Sequence, residues 1–268
     1  MTAFSTLPQD LQRALDGARE RLGSFAELRY ADTIGSTNDA ATELALAGAP
    51  EGTSVLADQQ TAGRGRRGRT WSSPPGAGLY LSVILRGENL ASTPGLVTLG
   101  AGVAAADAVL AATGLPVRLK WPNDLVMGDA WKKLGGILCE AQGRDALVLG
   151  IGINVMSSAH PPDVAARATA IETELGRAID RPSLVVECLS ALRALAGALR
   201  SPDPSALLQR WRDRAADGWR GAVVRWQDDN IEVSGVARDV DDDGALIVER
   251  DGRRERVIAG EVLWQRRP

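Results

Sequence analysis

The stretch Gly63-Arg64-Gly65-Arg66-Arg67-Gly68-Arg69 packs four guanidinium groups and three glycines into seven residues. Glycine lets a backbone approach a ligand closely. Arginine offers a planar, permanently charged fork that fits phosphate and carboxylate oxygens. A loop with both properties is suited to hold a polyanion. Without one, four crowded like charges repel, so the loop is expected to be mobile until a ligand arrives. A solvated basic loop or a nucleic-acid patch shares this local composition, so the flanking sequence must decide. The loop lies between two apolar segments that read as strands, Thr53 to Ala57 and Leu79 to Leu85, the second introduced by Pro74-Pro75-Gly76-Ala77-Gly78.

Working outward, residues 7–22 carry helical periodicity through Leu7, Leu11, Leu15, Ala18 and Leu22. Leu28 to Tyr30 reads as a short strand. Ser36-Thr37-Asn38 then precedes a helix from Asp39 to Ala47, which Gly48 and Pro50 end. Beyond the loop, residues 95–113 read as a long internal helix. Val117 to Trp121, Asp124 to Met127, Lys133 to Glu140 and Ala146 to Val155 read as strands. Helices are expected near 163–176, 182–199 and 204–217. After about Gly218 the pattern changes to five short alternating segments, 221–226, 231–238, 244–249, 253–258 and 261–266, with a strong turn at Asp241-Asp242-Asp243-Gly244. The expectation is a mixed α+β domain over 1–218 and a small five-stranded β-barrel over 219–268.

Length and composition fit a folded protein with a sizeable core: 268 residues, 44% hydrophobic and 24% charged. The net charge of −3 makes the arginine loop a local feature, which weighs against a general nucleic-acid binder, and 4% aromatics argue against a stacking platform. Two cysteines, Cys139 and Cys188, give neither a disulfide framework nor a zinc spacing, and the sole histidine, His160, has no nucleophile-elbow sequence with it. The N-terminus carries no signal pattern. The most apolar run, Leu96 to Leu115, is interrupted by Asp107 and reads as a packed helix rather than a membrane span, so a cytoplasmic location is expected.

Four further clusters can carry chemistry. Ser36-Thr37-Asn38 can bind a polar head group or cap its helix. Lys120-Trp121-Pro122-Asn123-Asp124 ends a strand with polar groups exposed around Pro122; Lys120 can face a phosphate, and Asp124 can hold a divalent cation or orient a lysine, although Asn and Asp also favour plain turns. Lys133-Leu134-Gly135-Gly136-Ile137-Leu138 sets a lysine above a glycine pair with room for a flat ligand. Gly150-Ile151-Gly152-Ile153-Asn154 again implies close backbone approach. There is no P-loop sequence and no strand-linked dinucleotide fingerprint, so bound ATP would have to be held by the arginine loop and the lysines.

These pieces in this order resemble the biotin protein ligase family. The match runs through Ser36-Thr37-Asn38, Gln60, the loop Gly63 to Arg69 with Trp71, Lys120 to Asp124, Lys133 to Leu138 and Gly150 to Asn154. The resemblance implies a mixed sheet with flanking helices, related to class II aminoacyl-tRNA synthetases, and a C-terminal SH3-like domain. It implies that biotin and Mg-ATP form biotinyl-5′-AMP, from which a lysine of a biotin carboxyl carrier domain takes the biotin. It assigns Ser36, Thr37, Asn38, Gln60, Gly63, Arg64, Gly65, Arg66, Trp71, Lys133 and Gly136 to the biotin site. Arg66, Arg67, Arg69, Trp71, Lys120, Asn123, Asp124, Asn154 and Arg238 go to ATP. Asp124 and Asn154 go to Mg2+, and Lys133, Arg64 and Arg66 to catalysis. Only 35 residues precede Ser36, too few for the winged helix-turn-helix of some members, so no DNA-binding domain and no repressor function are expected. A homodimer is compatible with the family. The alternatives are a lipoate ligase of the same superfamily, or a non-enzymatic nucleic-acid binder using the arginine loop.

Overall fold

The computed structural model describes residues 4–88, 90–228, 231–258 and 262–265. Its centre is a seven-stranded mixed sheet of order β1-β2-β3-β7-β6-β5-β4. The strands are β1 (Leu28–Ile34), β2 (Ser54–Gln60), β3 (Gly78–Arg86), β4 (Arg118–Lys120), β5 (Asp124–Met127), β6 (Lys132–Gln142) and β7 (Ala146–Asn154). Only β1 and β2 run parallel, joined by the crossover helix α2 (Thr37–Leu46); the other neighbours are antiparallel.

Strand alternation gives the sheet two unlike faces. On one face Leu79, Leu81, Val83 and Leu85 of β3 and Leu147, Leu149, Ile151 and Ile153 of β7 join the main core. Helices α1 (Gln9–Leu22), α3 (Pro94–Thr113), α5 (Arg181–Ala198) and α6 (Ser205–Arg214) complete it. Helix α3 is apolar on nearly every side, with Asp107 turned to Arg210 and Arg214 of α6, as a helix largely enclosed by neighbours should be. Its Gly100 marks a close approach to α5: a Cβ there would lie 2.5 Å from Leu195 Cδ1. This is the one helix among the described residues long and apolar enough to cross a membrane, and most of it is buried inside the fold.

The other face of the same strands carries Tyr80, Ser82 and Ile84 on β3, paired in register with Gly152, Gly150 and Val148 on β7, which in turn face Gly136, Leu138 and Glu140 on β6. Helix α2 and the arginine loop lie on this side, with Ala40, Ala41, Ala45, Ile84 and Val148 forming a small second core beneath α2.

Two expected helices are corrected. Residues 163–176 are not one helix. A 3-10 turn, Pro162–Val164, leads into extended chain, and only Ile171–Leu175 (α4) is α-helical. The reason is non-local: Lys133 N–H donates to Arg167 O at 2.8 Å and Thr169 N–H to Lys133 O at 2.9 Å, so the segment is used as a partner for the start of β6. The helix expected over 204–217 stops at Arg214 because Ala215 bridges Leu119 of β4.

The C-terminal strands are β8 (Val223–Asp228), β9 (Ile231–Val240), β10 (Leu246–Arg250), β11 (Arg253–Val257) and β12 (Leu263–Gln265). They form an antiparallel sheet of order β11-β10-β9-β8-β12, without closing pairs between β11 and β12 among the described residues. Residues 261 and 266 of the last expected strand lie outside the described residues. The sheet docks on the larger domain through the Asp241–Gly244 turn: Trp121 Nε1–H donates to Gly244 O at 2.9 Å, and a Cβ on Gly95 at the start of α3 would lie 2.5 Å from Asp243 O. Trp131, in the β5–β6 turn, packs edge-on against Trp264 of β12 at 5.8 Å.

Candidate active site

The start of α2 is buried, with Ser36, Thr37 and Asn38 each 3–4% exposed. Ser36 sits at the N-cap position but makes no side-chain cap bond. The helix is capped from outside: Gln60, at the end of β2, accepts from Thr37 N–H through Oε1 at 2.8 Å. The hydroxyl and amide side chains are thereby free for other partners. Thr37 Oγ1 lies 3.0 Å from Gln60 Oε1 and 2.8 Å from Ser82 Oγ, which lies 2.6 Å from Asn38 Oδ1. Each hydroxyl has one proton. Asn38 Oδ1 can only accept, so Ser82 donates to it, and Thr37 donates either to Ser82 or to Gln60. Gln60 Nε2–H donates to Ser73 Oγ at 2.8 Å. This neutral chain of donors and acceptors has one hydroxyl able to switch partners.

The glycines of β7 seat side chains from the opposite layer. A Cβ on Gly150 would lie 2.2 Å from Asn38 Oδ1, and one on Gly152 would lie 2.6 Å from Trp71 Cε2. The flat group against the glycine floor in this structure is the indole of Trp71. Gly136 lies beneath the Lys133 side chain and the same indole, with its would-be Cβ 3.5 Å from Lys133 Nζ and 3.6 Å from Trp71 Cζ3.

The loop itself is a hairpin. Gly65 N–H donates to Arg69 O at 2.7 Å and Trp71 N–H to Gly63 O at 2.8 Å, with Arg67 (φ 58°) and Gly68 (φ 72°) making the left-handed turn. Two of its cations are directed apart by different partners, which relieves their repulsion. Arg64 forks onto Glu140, with Nη1–Oε1 at 2.8 Å and Nη2–Oε2 at 2.7 Å, and its Nη2 also lies 2.6 Å from Asp39 Oδ1. Arg66 donates to Asn123 Oδ1 at 3.2 Å. Burial pulls Arg66 below the ordinary arginine value, and nearby Asp124 partly offsets this. An arginine starts so high that it stays cationic.

Lys133 completes the charged end. Its Nζ lies 2.5 Å from Asp124 Oδ1 and 5.5 Å from the centre of the Trp71 ring. Asn123 is fixed by its own amide, which donates to Ile137 O at 2.9 Å. Lys120 stands opposite Asp124 in the β4–β5 register. The structure thus brings together Thr37, Asn38, Gln60, Arg66, Trp71, Asn123, Asp124, Lys133 and Gly136 around one floor.

Other expected residues are placed differently. Asn154 is 4% exposed, and its amide donates to Thr169 O at 3.0 Å and Lys133 O at 3.4 Å. It holds the 167–169 segment against β6. Arg238 pairs with Glu249 across β9 and β10, Nε to Oε2 at 3.1 Å, on an exposed face. The expected Mg2+ pair is held by protein partners in this structure. Asp124 is engaged by Lys133, Asn154 turns its Nδ2 to the carbonyls of Thr169 and Lys133, and no group of three acidic, His or Cys side chains that could hold a metal occurs among the described residues.

Ser82 and Glu140 belong to the site although sequence reading passed over them. Ser82 is the one serine or threonine within the apolar run Leu79 to Leu85, and Glu140 is the acid on the glycine side of β6. Strand parity was the available signal for both.

With this geometry in view, likeness to known proteins is decisive. The Biotin/lipoate A/B protein ligase family model matches residues 30–155, and the Biotin protein ligase C terminal domain model matches residues 223–263. The Biotin--[acetyl-CoA-carboxylase] ligase of Mycobacterium tuberculosis is 35% identical over 91% of this chain and 92% of that one. The chain belongs to the biotin protein ligase family. Within the family it is also 33% identical to the Bifunctional ligase/repressor BirA of Bacillus spizizenii, over 88% of this chain and 73% of that protein. In fold it is similar to the biotin protein ligase from Aquifex aeolicus in complex with biotin and ATP, with a TM-score of 0.76 and 26% identity over 90% of this chain and 99% of that one.

Proposed function

We propose that this chain is an ATP-dependent biotin–[biotin carboxyl carrier protein] ligase of the cytoplasm. The observation that carries the reading is the placement of Lys133 and Arg66 at one end of a glycine-lined floor whose other end is the neutral Thr37–Ser82–Asn38–Gln60 chain. Biotin has matching ends. Its ureido edge is neutral and needs both donors and acceptors, and its tail is a carboxylate. A lipoyl ring has no ureido group to exchange hydrogen bonds with this buried polar chain. Lys133 and Arg66 are chemically suited to the tail and to the α-phosphate of ATP.

In the first step a carboxylate oxygen of biotin attacks the α-phosphorus. The bond to the β-phosphate oxygen breaks, giving biotinyl-5′-AMP and pyrophosphate. Two anions must meet, and fixed cations lower that repulsion and stabilise charge in the transition state. Asp124 orients the Lys133 ammonium by the 2.5 Å contact. No protein nucleophile is needed. Magnesium belongs to this reading as part of the substrate, carried on the ATP phosphates. In the second step the amine of a carrier-domain lysine attacks the acyl carbon, AMP leaves, and the amine gives up a proton. The arginine hairpin, Gly63 to Trp71, covers the junction and excludes water from the anhydride.

Mass spectrometry of the small molecules formed from biotin, ATP and magnesium tests this. Biotinyl-5′-AMP is the expected product. An adenylate formed from lipoate but not from biotin would replace the reading by the lipoate one, and salt-dependent nucleic-acid binding without ATP turnover would replace it by the third.

A further inference from the structure

Arg64 differs from the other cations of the site in what surrounds it. Both of its terminal nitrogens bind the two oxygens of Glu140, and Nη2 also reaches Asp39. Two carboxylates more than neutralise one guanidinium. A substrate carboxylate approaching Arg64 would have to displace one of them and would meet their negative charge first. Lys133 has one carboxylate partner, and Arg66 is bonded to the neutral amide of Asn123.

Glu140 is itself anchored in the floor. Its Oε2 accepts from Asn38 Nδ2 at 2.8 Å, and Asn38 is locked over Gly150 and bonded to Ser82. The path from hairpin to sheet is therefore continuous: Arg64, Glu140, Asn38, Ser82. Bidentate arginine–carboxylate pairing also fixes direction as well as distance. A residue 76 positions away in the chain thus holds the hairpin by its first arginine.

We propose that Glu140 is a positioning residue, a latch that holds the arginine hairpin closed through Arg64, and that Arg64 is the tether rather than a cation offered to substrate. This rests on the ligase reading for its kinetic consequence, but not for its structural one. Opening the latch lets the hairpin leave the junction. Adenylate then escapes sooner, while Lys133, on β6, stays in place and Arg66 leaves with the hairpin.

The test has two arms. In the first, limited trypsin digestion without substrates reads hairpin opening directly, because the cleavable bonds follow Arg64, Arg66, Arg67 and Arg69 and cleavage tracks the open population. Glu140→Gln is expected to be cut in this loop about fivefold to tenfold faster than the native chain, the scale of losing charged hydrogen bonds on a half-exposed pair. Arg64→Gln, which also loses Asp39, should open the loop at least as much, and the double variant no more than Arg64→Gln alone, since both remove the same Arg64–Glu140 coupling. Asp39→Asn, which keeps the Glu140 fork, should give a smaller increase of about twofold. It carries the test should Glu140→Gln fail to fold. In the second arm, Glu140→Gln should release biotinyl-5′-AMP about tenfold faster than the native chain, read as free adenylate per adenylate formed. Native cleavage rates in Glu140→Gln and Arg64→Gln overturn the latch. So does loss of adenylate formation in Arg64→Gln with Glu140→Gln fully active, which would return Arg64 to the substrate. If the native chain makes no biotin adenylate, the ligase reading fails while the digestion arm still decides the latch.

Discussion

The two faces of one sheet show how a single set of strands can serve stability and chemistry separately. On β7, Leu147, Leu149, Ile151 and Ile153 point into the helix layer and are almost completely buried, and between them Val148, Gly150, Gly152 and Asn154 point the other way. The first face fills space. The second leaves it, at two glycines, for Asn38 and Trp71. Because strand side chains alternate with a period of two, each face can be varied with little change to the other. A substitution on the glycine face should therefore damage catalysis more than folding, and one on the aliphatic face the reverse.

The strongest challenge to that division is at Lys133. Lys133→Ala is expected to slow adenylate formation by about a hundredfold to a thousandfold, the scale of removing one fixed charge-stabilising group, with an unchanged melting temperature. Pyrophosphate release measures it. Gly152→Ala comes next: its new methyl would stand 2.6 Å from Trp71 Cε2. Displacing the indole by about 1 Å should cost about a hundredfold in adenylate formation. Ser82→Ala should be milder, weakening biotin binding severalfold through the loss of one hydrogen bond of about 1 kcal/mol, visible in KM rather than kcat. Leu149→Ala, on the opposite face, should lower unfolding free energy by about 3 kcal/mol while the folded fraction turns over normally. Smallest is Cys188, whose thiol burial pushes up to about 12. Through pH 8 it stays protonated, so iodoacetamide should leave it unmodified in the native protein and label it after denaturation.

Much of this arrangement is legible in the sequence because it is local. The internal helix over 95–113 is announced by its run of small and apolar residues, broken chiefly by Asp107, and it is observed as Pro94–Thr113. The five C-terminal strands follow from turn residues such as Asp241 to Gly244, where Asp241 Oδ1 accepts from Ala245 N–H at 2.9 Å. The glycines of β7 correctly signalled close approach, although not that Trp71 and Asn38 would make it. What escaped was set by distant partners. Residues 163–176 have helical composition, yet Lys133 recruits Arg167 and Thr169 into extended pairing. Arg64 looks identical to Arg66 in the motif, and only Glu140 and Asp39 give it a different task. Asn154 resembles a strand-end ligand until Thr169 arrives to accept from it.

The latch and the floor also give the C-terminal sheet a part in the site. The β5–β6 hairpin that carries Asp124 and leads to Lys133 is held at one end by Trp121 on Gly244 and at its turn by Trp131 on Trp264. The small domain therefore bears on the position of the charged groups while contributing none of those gathered around the floor.

The division of the sheet into a packing face and a chemical face is tested most directly by comparing Gly152→Ala with Leu149→Ala in paired assays of thermal unfolding and biotin-dependent pyrophosphate release. Near-native stability with pyrophosphate release cut about a hundredfold in the first, and lowered stability with native turnover of the folded fraction in the second, is the predicted result. Native turnover in Gly152→Ala, or loss of turnover in folded Leu149→Ala, would contradict it.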